Sequence, residues 1–433
     1  MPRSNGPSLR PFWPRCCRAN TTGISSMADV VILGGGLAGT MAALALADRG
    51  LSATIVEARG RLGGRAFSRA LPGDAGPPVE YGGSWGAPHH HRLQALAARL
   101  GIGLIPRADL VAQAHEPATE DGAHAKAMAQ WRADASAADP RVLSMTVAAY
   151  FDDRGFPTSA RREILAWWTI SGATDPGLGS IGMLMSPALA NGFGYKLNEL
   201  AYTIAGGVQG LAEGATRVSG AKVLLSSPAE RLTQEAEGVR LQLASGREIA
   251  ARAAIVALPI NVLGQIRFDP PLPEAAARLR RKGHAGRVVK VLIRAKGIAP
   301  GSLVTGEAAG LRFFWADHLR ADGSTLVVAF ALAGDMAEPS PAQARAALAL
   351  AFPGAEFLSA DWHDWQADPF ALGVWAGPYA EIEGLHAAQH WGPFGRIAFA
   401  GSDIAPEEQG WFEGALASAE KAVKALAETV LST

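Results

Sequence analysis

The sequence predicts an α/β protein with α+β character in two inserted segments. A short apolar stretch at 30–33 is followed by a glycine-rich turn and a helix of small residues, which is typical of a buried parallel strand in a βαβ unit. A second group of strand-like stretches covers 223–258. Strand patterns recur at 287–295 and 324–334, as expected for a sheet that covers one side of a cavity.

The composition limits the classes of function. The 433 residues are enough for about two to three domains of ~150 residues each. The 40 basic and 40 acidic side chains balance, so no overall field attracts nucleic acid, and we exclude nucleic-acid binding. No stretch reaches the ~18 consecutive apolar residues of a membrane-spanning helix, and the last residues contain no anchor, so we expect no stable membrane attachment.

The N-terminal segment contains both cysteines and precedes the first strand. Because Cys16 and Cys17 are adjacent there, the rest of the chain has no disulfide and no thiolate metal site, which favours a reducing, cytoplasmic location. Residues 1–27 contain arginines and prolines but no apolar region of an export signal. We expect a disordered tail or an over-extended start before Met27, with an organellar presequence as the open alternative.

The first βαβ unit contains a dinucleotide-binding pattern. Gly34, Gly36 and Gly39 match G-x-G-x-x-G after the first strand. The first glycine permits a tight turn, the second lets the backbone approach a pyrophosphate, and the third lets the helix pack on the sheet. Glu57 ends the next strand, where its carboxylate can accept hydrogen bonds from ribose hydroxyls. This pattern predicts a Rossmann-like domain that binds a dinucleotide.

The segment after Glu57 distinguishes between nicotinamide and flavin dinucleotides. Gly63, Gly64 and Arg65 follow the acidic strand end directly. The glycines allow a second close approach to the same phosphates, and the arginine can neutralise them. A domain that binds only NAD has no evident need for this second pair, so the segment favours FAD.

These motifs resemble the flavin-containing amine oxidase family, which includes monoamine, polyamine and L-amino-acid oxidases. The resemblance implies a Rossmann-like FAD-binding domain of the glutathione-reductase and amine-oxidase type, with an interleaved substrate-binding domain. It extends over most of the chain, and the segments that show it are 80–102 (EYGGSWGAPHHHRLQALAARLGI), 205–217, 253–273, 287–293 and 395–426.

The resemblance also implies a discontinuous domain organisation. The FAD-binding domain would comprise residues 28–105, 205–285 and 392–430. The substrate-binding domain would comprise residues 106–204 and 286–391.

Matched motif by motif, the resemblance assigns residues to each part of the FAD. Those expected around the ADP part are Gly34, Gly36, Gly39, Glu57, Arg59, Gly64 and Arg65, with the backbone of Ala229 next to adenine. Those expected to run past the flavin are Gly83, Ser84 and Trp85. Asp403, after Gly401, would lie by the ribityl chain and pyrophosphate, and Phe412 would present its backbone N–H to the flavin.

Lys290 lies in an otherwise apolar strand, GRVVKVLI. Because the flanking valines and leucine make both faces of the strand apolar, we expect Lys290 to be buried on either face. A buried lysine in a cleft is a candidate functional residue. The resemblance implies that Lys290 holds a water near flavin N5.

The resemblance places Trp375 and Trp411 at two aromatic positions that face the flavin. In the family, such a pair forms a cage through which the amine approaches. Aromatic faces attract an ammonium ion and are compatible with the neutral amine that must lose a hydride. Trp167 and Trp168 in the first insert could line a pocket, but core packing is more frequent for paired tryptophans in a helical stretch.

Two departures from the family pattern concern the cofactor and the substrate. Monoamine oxidases attach their flavin through a cysteine just before the cage aromatic, and this chain has Val374 at that position. We therefore expect non-covalent FAD. Both cage positions are tryptophan, whereas many relatives have tyrosine at one or both, which leaves the substrate open.

The run of His89, His90 and His91 raises the question of a metal site. Three consecutive histidines point in different directions, and no acidic residue lies at metal-ligand spacing nearby in the sequence. We expect a polar helix N-terminus and no metal.

The sequence thus predicts an FAD-dependent amine oxidase. A hydride would pass from the carbon α to the amine nitrogen to flavin N5, the imine would be hydrolysed, and O2, giving H2O2, or an electron carrier would reoxidise the flavin. No arginine lies in a motif for carboxylate binding, which favours a small primary or secondary amine, aromatic or heterocyclic among the options, over an amino acid. The alternatives are a desaturase or oxidase of isoprenoids or tetrapyrroles, and a flavin-binding partner without turnover. A homodimer is left open.

Overall fold

The computed structural model describes residues 28–431, except for 117–121, 186–192, 194–196, 198, 333–334, 336–338 and 377–390. The expectation for the N-terminal tail concerns residues outside this described part.

Eighteen strands are present in the described residues. They are β1 (Ala28–Leu33), β2 (Ala53–Val56), β3 (Ser68–Arg69), β4 (Val79–Glu80), β5 (Leu104–Pro106), β6 (Ala112–Glu116), β7 (Tyr202–Ile204), β8 (Lys222–Leu224), β9 (Ala229–Gln234), β10 (Val239–Leu243), β11 (Glu248–Val256), β12 (Arg267–Asp269), β13 (Val288–Lys296), β14 (Ser302–Ala308), β15 (Leu311–Leu319), β16 (Thr325–Leu332), β17 (Glu356–Trp362) and β18 (Ile397–Phe399).

The α-helices of the same residues surround these strands. They are α1 (Leu37–Ala47), α2 (His91–Leu100), α3 (Gly122–Ala137), α4 (Pro140–Leu143), α5 (Val147–Arg154), α6 (Thr158–Ser171), α7 (Gln209–Ser219), α8 (Glu274–Lys282), α9 (Pro341–Ala351) and α10 (Phe412–Thr429).

The first sheet has eight strands and is built around β1. Its order is β12-β9-β10-β11-β1-β2-β8, and β18 pairs with the second half of β11. Strand β1 runs parallel to β2 and to the end of β11, so that Val31 pairs with both Thr54 and Ala254. A central parallel strand is covered on both faces, which explains why 30–33 is continuously apolar.

Helices of small residues cover one face of this sheet. Helix α1 packs against α10 and α7. Buried alanines of α1 and α10, such as Ala42 and Ala419, contact Val30 and Ile32 of β1 in one apolar cluster. Small side chains let these helices approach the sheet closely, and their N-termini then lie at the carboxyl ends of the parallel strands.

The second sheet has six strands in the order β17-β13-β16-β15-β14-β6. All its neighbours are antiparallel except β14 and β6. Helix α6 packs on this sheet, where Trp167 stacks on Phe193 with centroids 5.0 Å apart. Trp168 is fully buried, so both tryptophans pack in the core and neither lines the cavity described below.

Candidate active site

A cavity of about 1510 Å³, including the part open to solvent, extends from the ends of β1 and β2 to β13 of the second sheet. Most residues that the sequence assigned to the site line it: Gly34, Gly36, Glu57, Arg59, Gly64, Arg65, Gly83, Ala229, Lys290, Trp375, Gly401, Trp411 and Phe412. Four others do not line it and lie behind it: Gly39, Ser84, Trp85 and Asp403. The sequence motifs therefore converge on one region of the fold.

The glycine-rich turn brings the start of α1 to the cavity. Gly34 has φ +103°, and a Cβ there would lie 2.5 Å from the carbonyl oxygen of Ala257. At Gly39 a Cβ would lie 1.9 Å from the carbonyl oxygen of Gly34. Gly39 is therefore needed for packing inside the turn, which is why it does not line the cavity. Gly36 is the N-cap residue of α1, and no side chain caps this helix.

Glu57 follows β2 and is buried against the glycine turn. Its Oε2 accepts a hydrogen bond from the N–H of Gly35 at 2.7 Å, and its Oε1 accepts one from the N–H of Arg59 at 2.8 Å. These two bonds fix the carboxylate at the cavity wall. A carboxylate has about four lone-pair sites, so capacity for further donors is left over.

Arg59 and Arg65 line the same part of the cavity, and each is ion-paired. Arg59 Nη2 lies 2.7 Å from Asp368 Oδ1. Arg65 Nη2 lies 2.7 Å from Asp403 Oδ1. Burial alone would raise the pKa of Asp403, but the Arg65 guanidinium and the His284 ring hold this pKa below its usual value. Asp403 thus acts on the cavity through Arg65.

Lys290 is buried in β13, as its apolar neighbours predict. Its Nζ donates hydrogen bonds to the carbonyl oxygen of Gly82 at 2.7 Å and to Ser84 Oγ, and it lies 5.5 Å from the centroid of the Trp85 ring. Ser84 and Trp85 therefore surround the lysine behind the cavity wall. Burial lowers the pKa of Lys290 to about 8, against the opposing charges of Glu80 and Asp317.

Two acids near Lys290, the partly buried Glu80 and the buried Asp317, were not predicted from the sequence. Burial raises the pKa of Glu80 to about 7, and its Oε1 accepts a hydrogen bond from the N–H of Val208 at 2.8 Å. Burial also raises the pKa of Asp317. For Glu80, a sequence signal was its position at the start of the motif EYGGSW. Asp317 had no such signal, because it lies in β15, which is distant in sequence from the other site segments.

Trp375 and Trp411 both line the cavity, and both are partly buried. Trp375 Nε1 donates a hydrogen bond to the carbonyl oxygen of Ser171 at 3.1 Å. The Trp411 ring packs against His90, with centroids 5.2 Å apart. Gly410 has φ +83°, and a Cβ there would lie 3.4 Å from Trp375 Cβ, so the two tryptophan segments are close neighbours.

Helix α10 begins at the cavity wall, next to these tryptophans. Trp411 is its N-cap residue, and no side chain caps the helix. The Phe412 ring packs on Gly83, where a Cβ would lie 2.4 Å from Phe412 Cζ. Glu413 in the first turn instead points to α2, where it accepts hydrogen bonds from the N–H groups of Arg92 and Leu93, each at 3.0 Å.

Two of the three consecutive histidines, His89 and His90, lie next to an acidic residue from a distant segment. Glu408 lies close to two of them: its Oε1 is 3.1 Å from His89 Nε2 and its Oε2 is 3.4 Å from His90 Nε2. Sequence spacing could not predict this partner, because Glu408 is more than 300 positions away in sequence.

Hydrogen bonding at His90 favours an imidazole–carboxylate pair over metal binding. The Nδ1 atom accepts a hydrogen bond from the N–H of Ala87 at 3.0 Å. The ring proton of neutral His90 is then on Nε2, which faces Glu408. Metal-binding histidines usually donate their second ring N–H instead.

The comparison with known proteins decides the family. The model for flavin containing amine oxidoreductases matches residues 124–427, more than half of the chain. The chain belongs to this family. A second model, for an NAD(P)-binding Rossmann-like domain, matches residues 32–100 of the amine oxidoreductase. The predicted family and fold class are thereby confirmed, and the protein is a flavin enzyme that acts on CH–NH donors.

Similar proteins act on diverse amines according to their names. (S)-6-hydroxynicotine oxidase of Paenarthrobacter nicotinovorans is 29% identical and covers 92% of this chain and 99% of its own. Pseudooxynicotine dehydrogenase of Pseudomonas sp is 28% identical, and the match covers 90% of this chain and 84% of that protein. Both oxidases and dehydrogenases therefore occur among the relatives.

Solved structures share the fold of this amine oxidoreductase. Cyclohexylamine oxidase from Brevibacterium oxydans IH-35A has a TM-score of 0.77 at 24% identity, and covers 93% of this chain and 99% of its own. Putrescine oxidase bound to putrescine has a TM-score of 0.76 at 23% identity, and the match covers 92% of this chain and 98% of that chain. Within the described residues, no helix is both long and apolar enough to cross a membrane.

The cavity fits the flavin that the family uses. The N-termini of α1 and α10 both open on it without side-chain caps. Helix N-termini leave backbone N–H groups without intrahelical partners and carry a partial positive charge. Such ends suit a pyrophosphate and the negative charge of a reduced flavin.

Proposed function

We propose that this amine oxidoreductase oxidises small amines with non-covalent FAD, by removing a hydride from the carbon α to the amine nitrogen. The supporting observation is the arrangement of the cavity: the glycine-rich start of α1 lines one part, and Lys290, Trp375 and Trp411 line another. When bound, FAD would supply the hydride acceptor at N5, and water would hydrolyse the imine product to a carbonyl compound and an amine or ammonia.

The first part of the cavity would hold the ADP moiety. Gly36 leaves room for the pyrophosphate at the start of α1, and Gly64, which packs next to Gly36, lines the same part of the cavity. Glu57 has lone pairs left for ribose hydroxyls after its two backbone hydrogen bonds. Arg65, oriented by Asp403, would contribute positive charge near the phosphates.

The second part of the cavity would receive the amine. Trp375 and Trp411 would form its aromatic walls, whose faces accept a cation on entry and tolerate the neutral amine afterwards. Lys290 Nζ makes two hydrogen bonds to protein oxygens, which leaves one further position for a water. Excluding bulk solvent there would protect the hydride transfer from side reactions.

The charges around the cavity support a small monoamine. Among the described residues, its charged side chains are Glu57, Arg59, Arg65 and Lys290. Both arginines are ion-paired, and Glu57 is bonded to the glycine turn. None is placed to hold a substrate carboxylate or a second ammonium group. Among the substrates named for similar proteins, hydroxynicotine and cyclohexylamine are cyclic amines and putrescine is a linear diamine, and the charges described above favour a cyclic or heterocyclic monoamine.

The mode of flavin binding and the cellular location are also part of this proposal. Val374 stands where a covalent attachment would need a cysteine, which supports non-covalent binding. The position of both cysteines at the start of the chain supports a cytoplasmic protein.

Product analysis under air tests the proposed function. Purified flavoprotein is incubated with cyclohexylamine, (S)-6-hydroxynicotine, putrescine or an L-amino acid, with O2 or with an artificial electron acceptor, and the carbonyl product and H2O2 are measured. We expect the cyclic amines to give product and the diamine and amino acid to give much less. No carbonyl product from any amine with either acceptor would contradict the proposal.

A further inference from the structure

His90 is a fully buried histidine that packs against Trp411. Its ring is inclined at 64° to the indole, with centroids 5.2 Å apart. Trp411 is partly buried and lines the cavity, whereas His90 has no solvent exposure. The imidazole therefore contacts the indole from the protein side.

The two cavity tryptophans are held in different ways. The Trp375 indole is fixed by its hydrogen bond to the carbonyl oxygen of Ser171. In the described part of the chain, the Trp411 indole makes no comparable hydrogen bond, so its orientation depends on packing. The indole packs against the apolar cluster on which Trp375 also packs, and its neighbouring ring is that of His90, in a tilted arrangement that stabilises ring pairs beyond their buried area.

The His90 ring is itself held on both sides. Its Nδ1 accepts a hydrogen bond from the N–H of Ala87 at 3.0 Å, just before α2. Its Nε2 lies 3.4 Å from Oε2 of Glu408, whose other oxygen is 3.1 Å from His89. The hydrogen bond at Nδ1 and the carboxylate near Nε2 together favour one orientation of the ring.

Glu408 links this pair back to Trp411 through the main chain. Its carbonyl oxygen accepts a hydrogen bond from the N–H of Trp411 at 3.0 Å. Glu408 has φ +51°, a conformation that is uncommon for a non-glycine residue and persists where the surroundings determine it. A Cβ at Gly414 would lie 2.3 Å from the same carbonyl oxygen, so α10 packs closely on this turn.

We propose that His90 is a positioning residue that holds the Trp411 indole in the cavity, and that Glu408 holds His90. The inference rests on the proposed function, because it concerns the aromatic wall that would receive the amine. It adds a residue outside the cavity that acts on the substrate through Trp411.

Amine binding and flavin reduction provide the first readout. The variants are His90→Ala, and His91→Ala as a control on an exposed neighbour. With the amine that reduces the wild-type flavin fastest, anaerobic stopped-flow mixing should show Kd raised about two- to tenfold in His90→Ala, the effect of losing one such ring contact. The limiting rate of flavin reduction should change less than Kd. The control should resemble the wild type.

Fluorine NMR gives a second readout that is independent of activity. The protein has 11 tryptophans, and after labelling with 5-fluorotryptophan the Trp411 resonance is assigned by its loss in Trp411→Phe. His90→Ala should shift and broaden this resonance, and His91→Ala should not. If His90→Ala does not fold, Glu408→Gln should produce a smaller shift of the same resonance.

The two readouts separate the inference from the proposed function. A Trp411 resonance that is unchanged in the folded His90→Ala variant, or in Glu408→Gln if the former does not fold, would overturn the inference, whatever the activity. If no amine reduces the wild-type flavin, the proposed function fails, and the resonance still decides the role of His90.

Discussion

At the scale of single residues, Lys290 shows how burial changes a charge at the site. Its Nζ is bonded to two uncharged oxygens, those of Gly82 and Ser84, and burial lowers its pKa to about 8 from an ordinary 10.5. The unfolded chain therefore binds this proton more readily than the folded protein between these two values. In that range the contribution of Lys290 to stability rises with pH, and it is less favourable near pH 8 than near pH 10.5.

Replacing this lysine should make the pH dependence visible. Relative to the wild-type flavoprotein, Lys290→Met should have its highest Tm below about pH 8. This excess in Tm should shrink as the pH rises to about 10.5. Lys296→Met, at the exposed end of the same strand, is the matched control and should show a flat difference. A flat difference for Lys290→Met as well would contradict a lowered pKa.

Val374 gives a second residue-scale prediction. It lines the cavity just before Trp375, and its carbonyl oxygen accepts a hydrogen bond from Arg65. Since valine has no nucleophilic atom for attachment, acid precipitation should release all the flavin into the supernatant, where its absorbance is measured. Flavin that stays in the washed pellet would show a covalent link and would refute this expectation.

At the scale of elements, the N-termini of α1 and α10 line the cavity. The first turn of α10 also binds the N-terminus of a third helix, α2. Helices α1 and α10 present uncapped starts to the cavity. Glu413, in the first turn of α10, is buried and accepts hydrogen bonds from the N–H groups of Arg92 and Leu93 at the start of α2. The carboxylate thus fixes α2, and the His90 segment before it, to the helix that begins at Trp411.

Removing this capping carboxylate should loosen the helix pair. Glu413→Ala leaves the buried N–H of Leu93 and the partly buried N–H of Arg92 unsatisfied, at a cost of about 1–3 kcal/mol for the buried group, so we expect a clearly lower Tm of the flavoprotein. The control is Glu420→Ala on the same helix, which removes an exposed ion pair with Arg92 and should cost at most about 1 kcal/mol. Equal Tm values for the two variants would contradict the capping role.

At the scale of the whole molecule, the sequence predicted the local parts of the site well. The turn at Gly34 and Gly39 and the buried charge at Lys290 follow from patterns within a few residues, because their geometry is set by one strand and its neighbours. The domain boundaries stay a prediction, although strands from separate segments do join in the first sheet.

Contacts between distant segments could not be predicted in the same way. Glu408 is paired with His89, Asp368 with Arg59, and Glu413 with the start of α2, and each pair joins residues about 300 positions apart. No periodicity or spacing specifies such a pair, since it depends on how the sheets and helices pack. The sequence therefore identified many groups at the cavity, including Asp403 and Ser84, and missed Asp368 and Glu408, which pair with such groups from distant segments.

Anaerobic mixing shows directly whether this cavity holds a flavin that an amine reduces. The purified flavoprotein is mixed without O2 with each amine of the panel, and the visible flavin absorbance is followed, with dithionite as the control for a reducible flavin. We expect a cyclic or heterocyclic amine to bleach the flavin, more slowly when its α-carbon is deuterated. A flavin that dithionite bleaches and that no amine reduces would contradict the proposed amine oxidation.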